Sequence, residues 1–280
     1  MPDQFTVLTY NVGNGRAAPE RLAAMLRASG ADIVALQELS DLQAGAIEAG
    51  LQDVFPHRAL FPGGFAGKAV LSRFPILRSE QLHLSDERPD LLAGLEVDGR
   101  ELTVTSAHPP PPRPSRHGVR FNANTAAQIR SLAAITLEHA PAILLGDFNL
   151  TESLAEYAYI RSTGLQDAFG VSGRGRGYTL PRRLGPWKRN RWLNGLLRWV
   201  PMLPVARVDY IWYTEHLESL DSWVGKDAGS DHMPLLAKMG FRRADWGPAP
   251  GAGRGDDAGS EWGKGRNVPR VRDRIAHLLS

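Results

Sequence analysis

Five short polar motifs in this chain each stand at the end of an apolar, strand-like run. Tyr10-Asn11-Val12 closes FTVLT, and Gln37-Glu38 closes DIVAL. Ala107-His108-Pro109 ends ELTVTS, Gly146-Asp147-Phe148-Asn149 ends AILL, and Ser230-Asp231-His232-Met233-Pro234 precedes LLAKM. A sixth piece, Arg207-Val208-Asp209-Tyr210-Ile211-Trp212, carries one acid inside an apolar run. Carboxylates, amides and imidazoles at strand ends are the materials of metal-assisted phosphoester hydrolysis. That reaction needs the anion neutralised, a water activated and the leaving oxygen stabilised. A hard divalent cation with oxygen ligands does much of this.

Each residue type suggests a part. Glu38, at the end of a buried run, suits the principal metal ligand, and the Asn11 amide suits the metal's water or Glu38 itself. Asp147 and Asn149 are two apart and face one side of an extended chain. One would orient or deprotonate water while the other donates to phosphate; the bland alternative is a local β-turn. Asp209 is costly in an apolar strand unless it is paired. Its natural partner is His232, which it would hold in one tautomer. A salt bridge with Arg207 is the alternative. Asp231 suits a metal-bound water or a second metal position, and His108 suits a non-bridging phosphate oxygen. Either His232 or Asp147 serves as the base.

The elements that must position these groups alternate strand and helix. Residues 5–12, 32–37, 67–72, 142–146, 207–213 and 234–239 read as strands. Pro19 opens a helical pattern, residues 41–50 form another, and residues 120–138 a third. Asp98-Gly99-Arg100 between two apolar runs predicts a hairpin ending at His108. The proline run 109–112 predicts an extended loop, continuing to Arg120, in which Arg113, Arg116 and Arg120 suit bidentate contact with phosphate or plain solvation. Hairpins mixed with crossover helices argue for an α/β sandwich with mixed sheets.

The 280 residues are 42% hydrophobic and 22% charged, enough for one large domain with a sizeable core. Cysteine is absent, which excludes thiol chemistry, disulfides and thiolate metal sites. No apolar run approaches the roughly 18 residues of a membrane span. The N-terminus lacks a signal-peptide pattern, so the expectation is a cytoplasmic protein with peripheral membrane association open. A net charge of +3 mildly favours anionic substrates.

The ordered set YNV, QE, GKAVLSRFPI, AHP, GDFN, RVDYIWY and SDHMP, over about residues 5–239, resembles the endonuclease/exonuclease/phosphatase superfamily. The resemblance implies a DNase I-like four-layer α/β sandwich, with two packed mixed β-sheets flanked by helices, and a Mg2+ site in which Mn2+ can substitute. It implies Glu38 as metal ligand with Asn11 beside it and Asp231 near the metal. It further implies His108 as a phosphate contact, Asp147 with Asn149 as the nucleophile-positioning pair, and Asp209–His232 as the acid–base dyad. Thr179-Leu180-Pro181 looks like the family's Thr-x-Pro piece. The tyrosine-containing motif of abasic-site enzymes has no equivalent here.

The expected organisation is a catalytic domain over 1–240, a flexible linker over 241–266, and an amphipathic C-terminal helix over 267–280. The domain carries a basic aromatic insertion at about 182–206. Residues 172–207 hold nine basic residues and no acid, with Tyr178, Trp187, Trp192 and Trp199 interleaved. Three readings compete: a nucleic-acid platform, a membrane-surface helix within 187–203, or plain packing with solvated arginines. The 268–280 stretch is a second candidate membrane contact. The substrate expected first is nucleic acid. A phospholipid or sphingolipid phosphodiesterase is the enzyme alternative, and a non-catalytic binding scaffold is the alternative of another class.

Overall fold

The computed structural model describes residues 4–85, 88–116, 118–180 and 205–242. The expected insertion at 182–206 lies almost wholly outside them, and the linker beyond Arg242 and the C-terminal helix lie outside them altogether.

One six-stranded sheet contains β1 (Gln4–Asn11), β2 (Ile33–Gln37), β3 (His57–Phe61), β4 (Lys68–Ser72), β13 (Leu217–Val224) and β14 (Leu235–Phe241), in the order β13-β14-β1-β2-β4-β3. The other contains β5 (Ile76–Leu82), β6 (Asp90–Val97), β7 (Arg100–Ala107), β10 (Ala142–Asp147), β11 (Gln166–Asp167) and β12 (Asp209–Tyr213), in the order β11-β12-β10-β7-β6-β5. In each sheet one central pair is parallel, β1 with β2 and β7 with β10, and the remaining pairs are antiparallel.

Strand alternation sorts the side chains into layers. Phe5, Val7, Ile33, Ala35, Val70, Ala93, Val104, Ile143, Leu145 and Ile211 face the space between the sheets and form the central core. Their neighbours Leu8, Tyr10, Val34 and Leu36 turn outward onto helices α1 (Pro19–Ala28) and α2 (Asp41–Gly50), meeting Leu22, Leu26 and Ile47. On the far side Leu144, Tyr210 and Trp212 meet Ile129 and Leu132 of α3 (Ala123–Glu138) and Ile160 of α4 (Ala155–Ser162). A short α5 (Ala168–Ser172) follows β11. Helix, sheet, sheet and helix make the four layers of a DNase I-like sandwich. Among the described residues no helix is long and apolar enough to cross a membrane.

Local chemistry places the boundaries. Pro19 stands in the first turn of α1, and a capping box of Ser40 with Gln43 starts α2. The side chain of Asn122 caps α3. Asp98 and Gly99 both have positive φ, 51° and 75°, the demand of a two-residue hairpin turn, and Val97 pairs with Arg100 across it. The proline run 109–112 is irregular as expected. The rest of that segment is not a loop: β8 (Arg113–Ser115) and β9 (Gly118–Arg120) pair as an exposed ribbon.

Candidate active site

The topology gathers the motifs at one edge. Parallel β1 and β2 end together, with Asn11 beside Gln37, and parallel β7 and β10 end together, with Ala107 beside Gly146. Asn11, Glu38, His108 and Asp147 therefore emerge at the same end of the sandwich. Antiparallel β12 begins there, so its first residue Asp209 lies opposite Asp147. Antiparallel β14 also begins there, bringing the 230–233 loop in from the other sheet.

Two backbone features aim the carboxylates. Glu38 has φ 57°, a left-handed conformation rare for a non-glycine residue. Such a residue costs about 1–3 kcal/mol and is held by its surroundings. Here the amide of Asn14 donates to the Glu38 carbonyl. Gly146 has φ 152°, and a Cβ there would lie 1.9 Å from the Ala107 carbonyl oxygen. Only glycine lets β10 press that closely on β7 and set Asp147 next to His108.

The side chains then meet in a small volume. The Asn11 amide nitrogen donates to Asp147 Oδ2 at 2.9 Å and lies 3.3 Å from Glu38 Oε1. Its oxygen accepts the Gly13 amide, which fixes the orientation. His108 Nε2 lies 3.4 Å from Asp147 Oδ2 and 3.7 Å from Glu38 Oε1. His232 Nδ1 donates to Asp209 Oδ2 at 2.9 Å, and Nε2 faces Asp147 Oδ2 at 3.6 Å. The Asn149 backbone amide donates to Asp147 Oδ1, and its side-chain amide donates to the Pro109 carbonyl.

The surroundings hold these groups in place. The Tyr10 hydroxyl accepts the amides of Ala228 and Ser230. Ser230 Oγ donates to the Asn11 carbonyl and accepts the His232 amide. Thr179 Oγ1 accepts the amides of Val208 and Asp209, and the Thr179 carbonyl accepts the Met233 amide. The Thr-x-Pro piece thus ties both members of the Asp209–His232 pair.

Charge follows from burial and crowding. Burial raises the Glu38 carboxyl above its usual range against the Asn11 amide, and Asp147 and Asp231 add to the push. Burial pulls His108 down to about 4, so its ring is neutral at pH 7. For His232 burial pulls the same way, but the carboxylates of Asp209 and Asp147 outweigh it and hold the imidazole at about 10. Burial pushes Asp209 up. Asp147 is buried too, yet His232 and His108 keep it well below the ordinary carboxylate range.

Asn11, Glu38, His108, Asp147, Asp209 and His232 are thus brought together, with Asn149 bonded to Asp147. Asp231 is within electrostatic reach of Glu38 and His232 but forms an ion pair with Arg16. Arg207 does not pair with Asp209; it binds Asp167 and Glu152. Arg113, Arg116 and Arg120 are exposed on or between the ribbon strands and touch none of these groups. Three neighbours are given no role by the motifs, although Lys68 lies within GKAVLSRFPI. Lys68 is wholly buried, donates to the Ala66 carbonyl at 3.1 Å, and is lowered by burial to about 8. Asp90, also buried, accepts the His108 amide and the Gln128 side chain. Arg88 reaches the His108 ring. A lysine opening the apolar run AVL and an acid opening LLAGL are the signals that would have found the first two.

The donor set suits a hard divalent ion. Asp147, Asp209 and His232 offer ligand-type atoms within 4.8 Å of one another. His232 Nδ1 is already committed to Asp209, so the open oxygens are those of Glu38 and Asp147, joined through Asn11. Asp209 Oδ1 is buried with no hydrogen-bond partner among the described residues, while its Oδ2 is paired with His232.

Buried acids, an amide and imidazoles at one edge of a four-layer sandwich define a phosphoester hydrolase. The chain belongs to the Endonuclease/Exonuclease/phosphatase family, whose model matches residues 8–232. Its fold is similar to an endonuclease/exonuclease/phosphatase family protein from Leptotrichia buccalis C-1013-b, at 21% identity and TM-score 0.63, covering 85% of this chain and 100% of that one. It is similar to sphingomyelinase C from Streptomyces griseocarneus, at 21% identity and TM-score 0.60, covering 84% and 99%. It is also similar to D. rerio TDP2 complexed with single strand DNA product, at 18% identity and TM-score 0.60, covering 85% and 99%. Comparison with curated proteins gives no match.

Proposed function

We propose that the protein is a Mg2+-dependent phosphodiesterase acting on nucleic acid, with Mn2+ able to substitute. The observation that carries this reading is the meeting of Asn11, Glu38, His108, Asp147, Asp209 and His232 in one buried cleft. Glu38, assisted by Asn11 and with Asp231 nearby, would hold the ion, which supplies charge stabilisation at the phosphoryl oxygens.

The chain's own residues do the rest. Asp209 fixes the His232 ring so that Nε2 faces Asp147. A water held by those two groups gives its proton to one of them as it attacks phosphorus; the P–O bond opposite breaks, and the leaving alkoxide takes a proton from solvent. The charge state favours Asp147 as acceptor, because it is ionised while His232 carries both ring protons. His232 Nε2–H then supports the developing charge. His108 donates from its neutral ring to a non-bridging oxygen, a stabilisation that grows as charge builds. Asn149, anchored to Pro109 and Asp147, keeps the Asp147 carboxylate turned into the cleft.

The ribbon favours a polymeric anion. Arg113 stands directly opposite Arg120 in the ladder, and Arg116 sits between the two strands. Like charges facing each other on adjacent strands are destabilising unless something neutralises them. A phosphate backbone leaving the cleft would do so. The basic insertion at about 182–206 adds six cations to the sequence.

A panel of bis-p-nitrophenyl phosphate, single-stranded DNA and sphingomyelin vesicles, each with Mg2+ and with EDTA, tests this reading. Turnover should vanish in EDTA, and Glu38→Ala and His232→Ala should each lose more than roughly 100-fold. Unchanged rates in either variant would sink the assigned roles. Replacing Arg113, Arg116 and Arg120 together by Gln should flatten the salt dependence of DNA binding by up to about 2 log–log units, at about 0.7 per lost contact. Recruitment to neutral vesicles at high salt, with an unaltered DNA slope, would favour a lipid substrate instead.

A further inference from the structure

Arg88 belongs to none of the motifs, yet it reaches the centre of the cleft. Its Nη1 lies 2.7 Å from His108 Nε2 and 3.2 Å from Nδ1. The same Nε2 is 3.4 Å from Asp147 Oδ2 and 3.7 Å from Glu38 Oε1. The guanidinium and the carboxylate cluster therefore approach the same ring nitrogen.

The partner of Arg88 is an imidazole where several other arginines have an acid. Arg16, Arg27, Arg73, Arg78, Arg174 and Arg207 each hold a carboxylate. Among the described residues no carboxylate lies within ion-pair distance of Arg88, although it is half-buried beside an acidic site. A guanidinium has five donors, and the lone pair of a neutral imidazole can take only one. The remaining donors, on a half-exposed side chain, are open to water or to an anionic ligand.

The backbone behind Arg88 is stiff. Pro89 fixes its own φ and keeps Arg88 extended. The carboxylate of Asp90 is clamped by the His108 amide at 3.1 Å and by Gln128 at 2.8 Å. One buried acid thus ties the start of β6, just after Arg88, to the end of β7, just before His108, so the two backbone segments keep their relation.

We propose that Arg88 is a substrate-binding residue of this site, which takes the non-bridging oxygens of the reacting phosphate together with His108. The assignment rests on the phosphoester-hydrolase reading above. A planar fork presents parallel N–H groups to a tetrahedral oxyanion, a geometry no lysine reproduces. Before substrate arrives the fork rests on the imidazole. As the phosphate enters, the fork moves to its oxygens, and His108 donates its ring N–H to the same group.

The test uses the full chain with Mg2+ and inorganic phosphate as probe. Arg88→Gln should raise the competitive inhibition constant for phosphate at least about tenfold. It should also lower kcat/KM on bis-p-nitrophenyl phosphate about 100-fold, with Arg88→Lys recovering only part of either loss. A phosphate constant within twofold of wild type in Arg88→Gln would overturn the assignment. A second measurement needs no variant: phenylglyoxal labelling of Arg88 in the wild type, read by peptide mass spectrometry. Phosphate should slow labelling of Arg88 severalfold while leaving exposed Arg27 unchanged, and equal labelling with and without phosphate would overturn the proposal. Should the wild type hydrolyse no phosphoester while phosphate still shields Arg88, the reaction assigned to the site fails and the anion contact stands.

Discussion

Two buried charge clusters in this domain start from the same ingredients and end differently. Around Arg207, Nη1 donates to Asp167 Oδ1 at 2.8 Å, Nη2 lies 2.7 Å from Asp167 Oδ2, and Nη2 donates to Glu152 at 2.5 Å. The guanidinium also stacks 4.5 Å from the Tyr210 ring centre. Asp167 accepts two further bonds, from Tyr157 Oη and the Phe169 amide. Burial works against the Arg207 charge, but Asp167 and Glu152 more than offset it and raise its pKa further. That cluster is closed. In the cleft, Asp147 crowds both Glu38 and Asp209, Asp209 Oδ1 has no hydrogen-bond partner among the described residues, and Arg88 points at a ring instead of an acid. A closed cluster stabilises a fold, whereas an open one is held by the fold for a ligand.

The sharpest way to break the contrast is to remove one charge from each cluster. Asp209→Asn keeps the shape of the dyad but loses the negative charge that holds the imidazole. We expect kcat to fall at least about 100-fold with the fold retained. Arg207→Met should do the reverse. Stranding Asp167 without its cation should cost about 3–5 kcal/mol of unfolding free energy in urea. Turnover measured well below the unfolding midpoint should stay within about threefold. If Arg207→Met halts turnover in a folded protein, the two clusters are not separable.

The smallest effect concerns pH. The folded pKa of His232, about 10, exceeds its ordinary 6.5, so the native state keeps a proton that the unfolded chain releases. Its stabilisation is whole below pH 6.5 and drains away as pH climbs toward 10. Lys68, lowered to about 8, acts in the opposite sense above that pH, because there the unfolded chain holds the extra proton. Between pH 6.5 and 8, in chelating buffer, the unfolding midpoint should therefore fall for wild type and for Arg207→Met. It should fall less for His232→Gln. Equal slopes in all three would remove the imidazolium from the account.

Much of this was legible in the chain because the site is built at strand ends. An apolar run that stops at Asn11, Glu38, His108 or Asp147 marks both the element and the group it carries. Asp209 declared itself as an acid amid Val208, Tyr210 and Ile211. The Asp98-Gly99 hairpin was equally visible because its two positive φ angles demand those residue types. What stayed hidden lacked such marks. β5 is exposed at most positions and lacks alternation, so its sequence, ILRSEQL, resembles a loop. Pro114 disguised the ribbon, since proline is unwelcome in all but edge strands. The hairpin of β6 with β7 that brings Arg88 beside His108 was legible, but Arg88 itself stands just before β6 in no motif, so nothing local marked it.

The bond from Gln37 Nε2 to Ser106 Oγ, at 3.0 Å, has a mechanical meaning. Ser106 Oγ in turn donates to the Leu36 carbonyl at 3.2 Å, and Thr9 Oγ1 reaches Gln37 Oε1. Glu38 and Asn11 ride on one sheet, while His108 and Asp147 ride on the other. Their spacing is then a property of the seam between two slabs, and this polar stitch, one residue below Glu38 and two below His108, acts as the gauge block that sets its width.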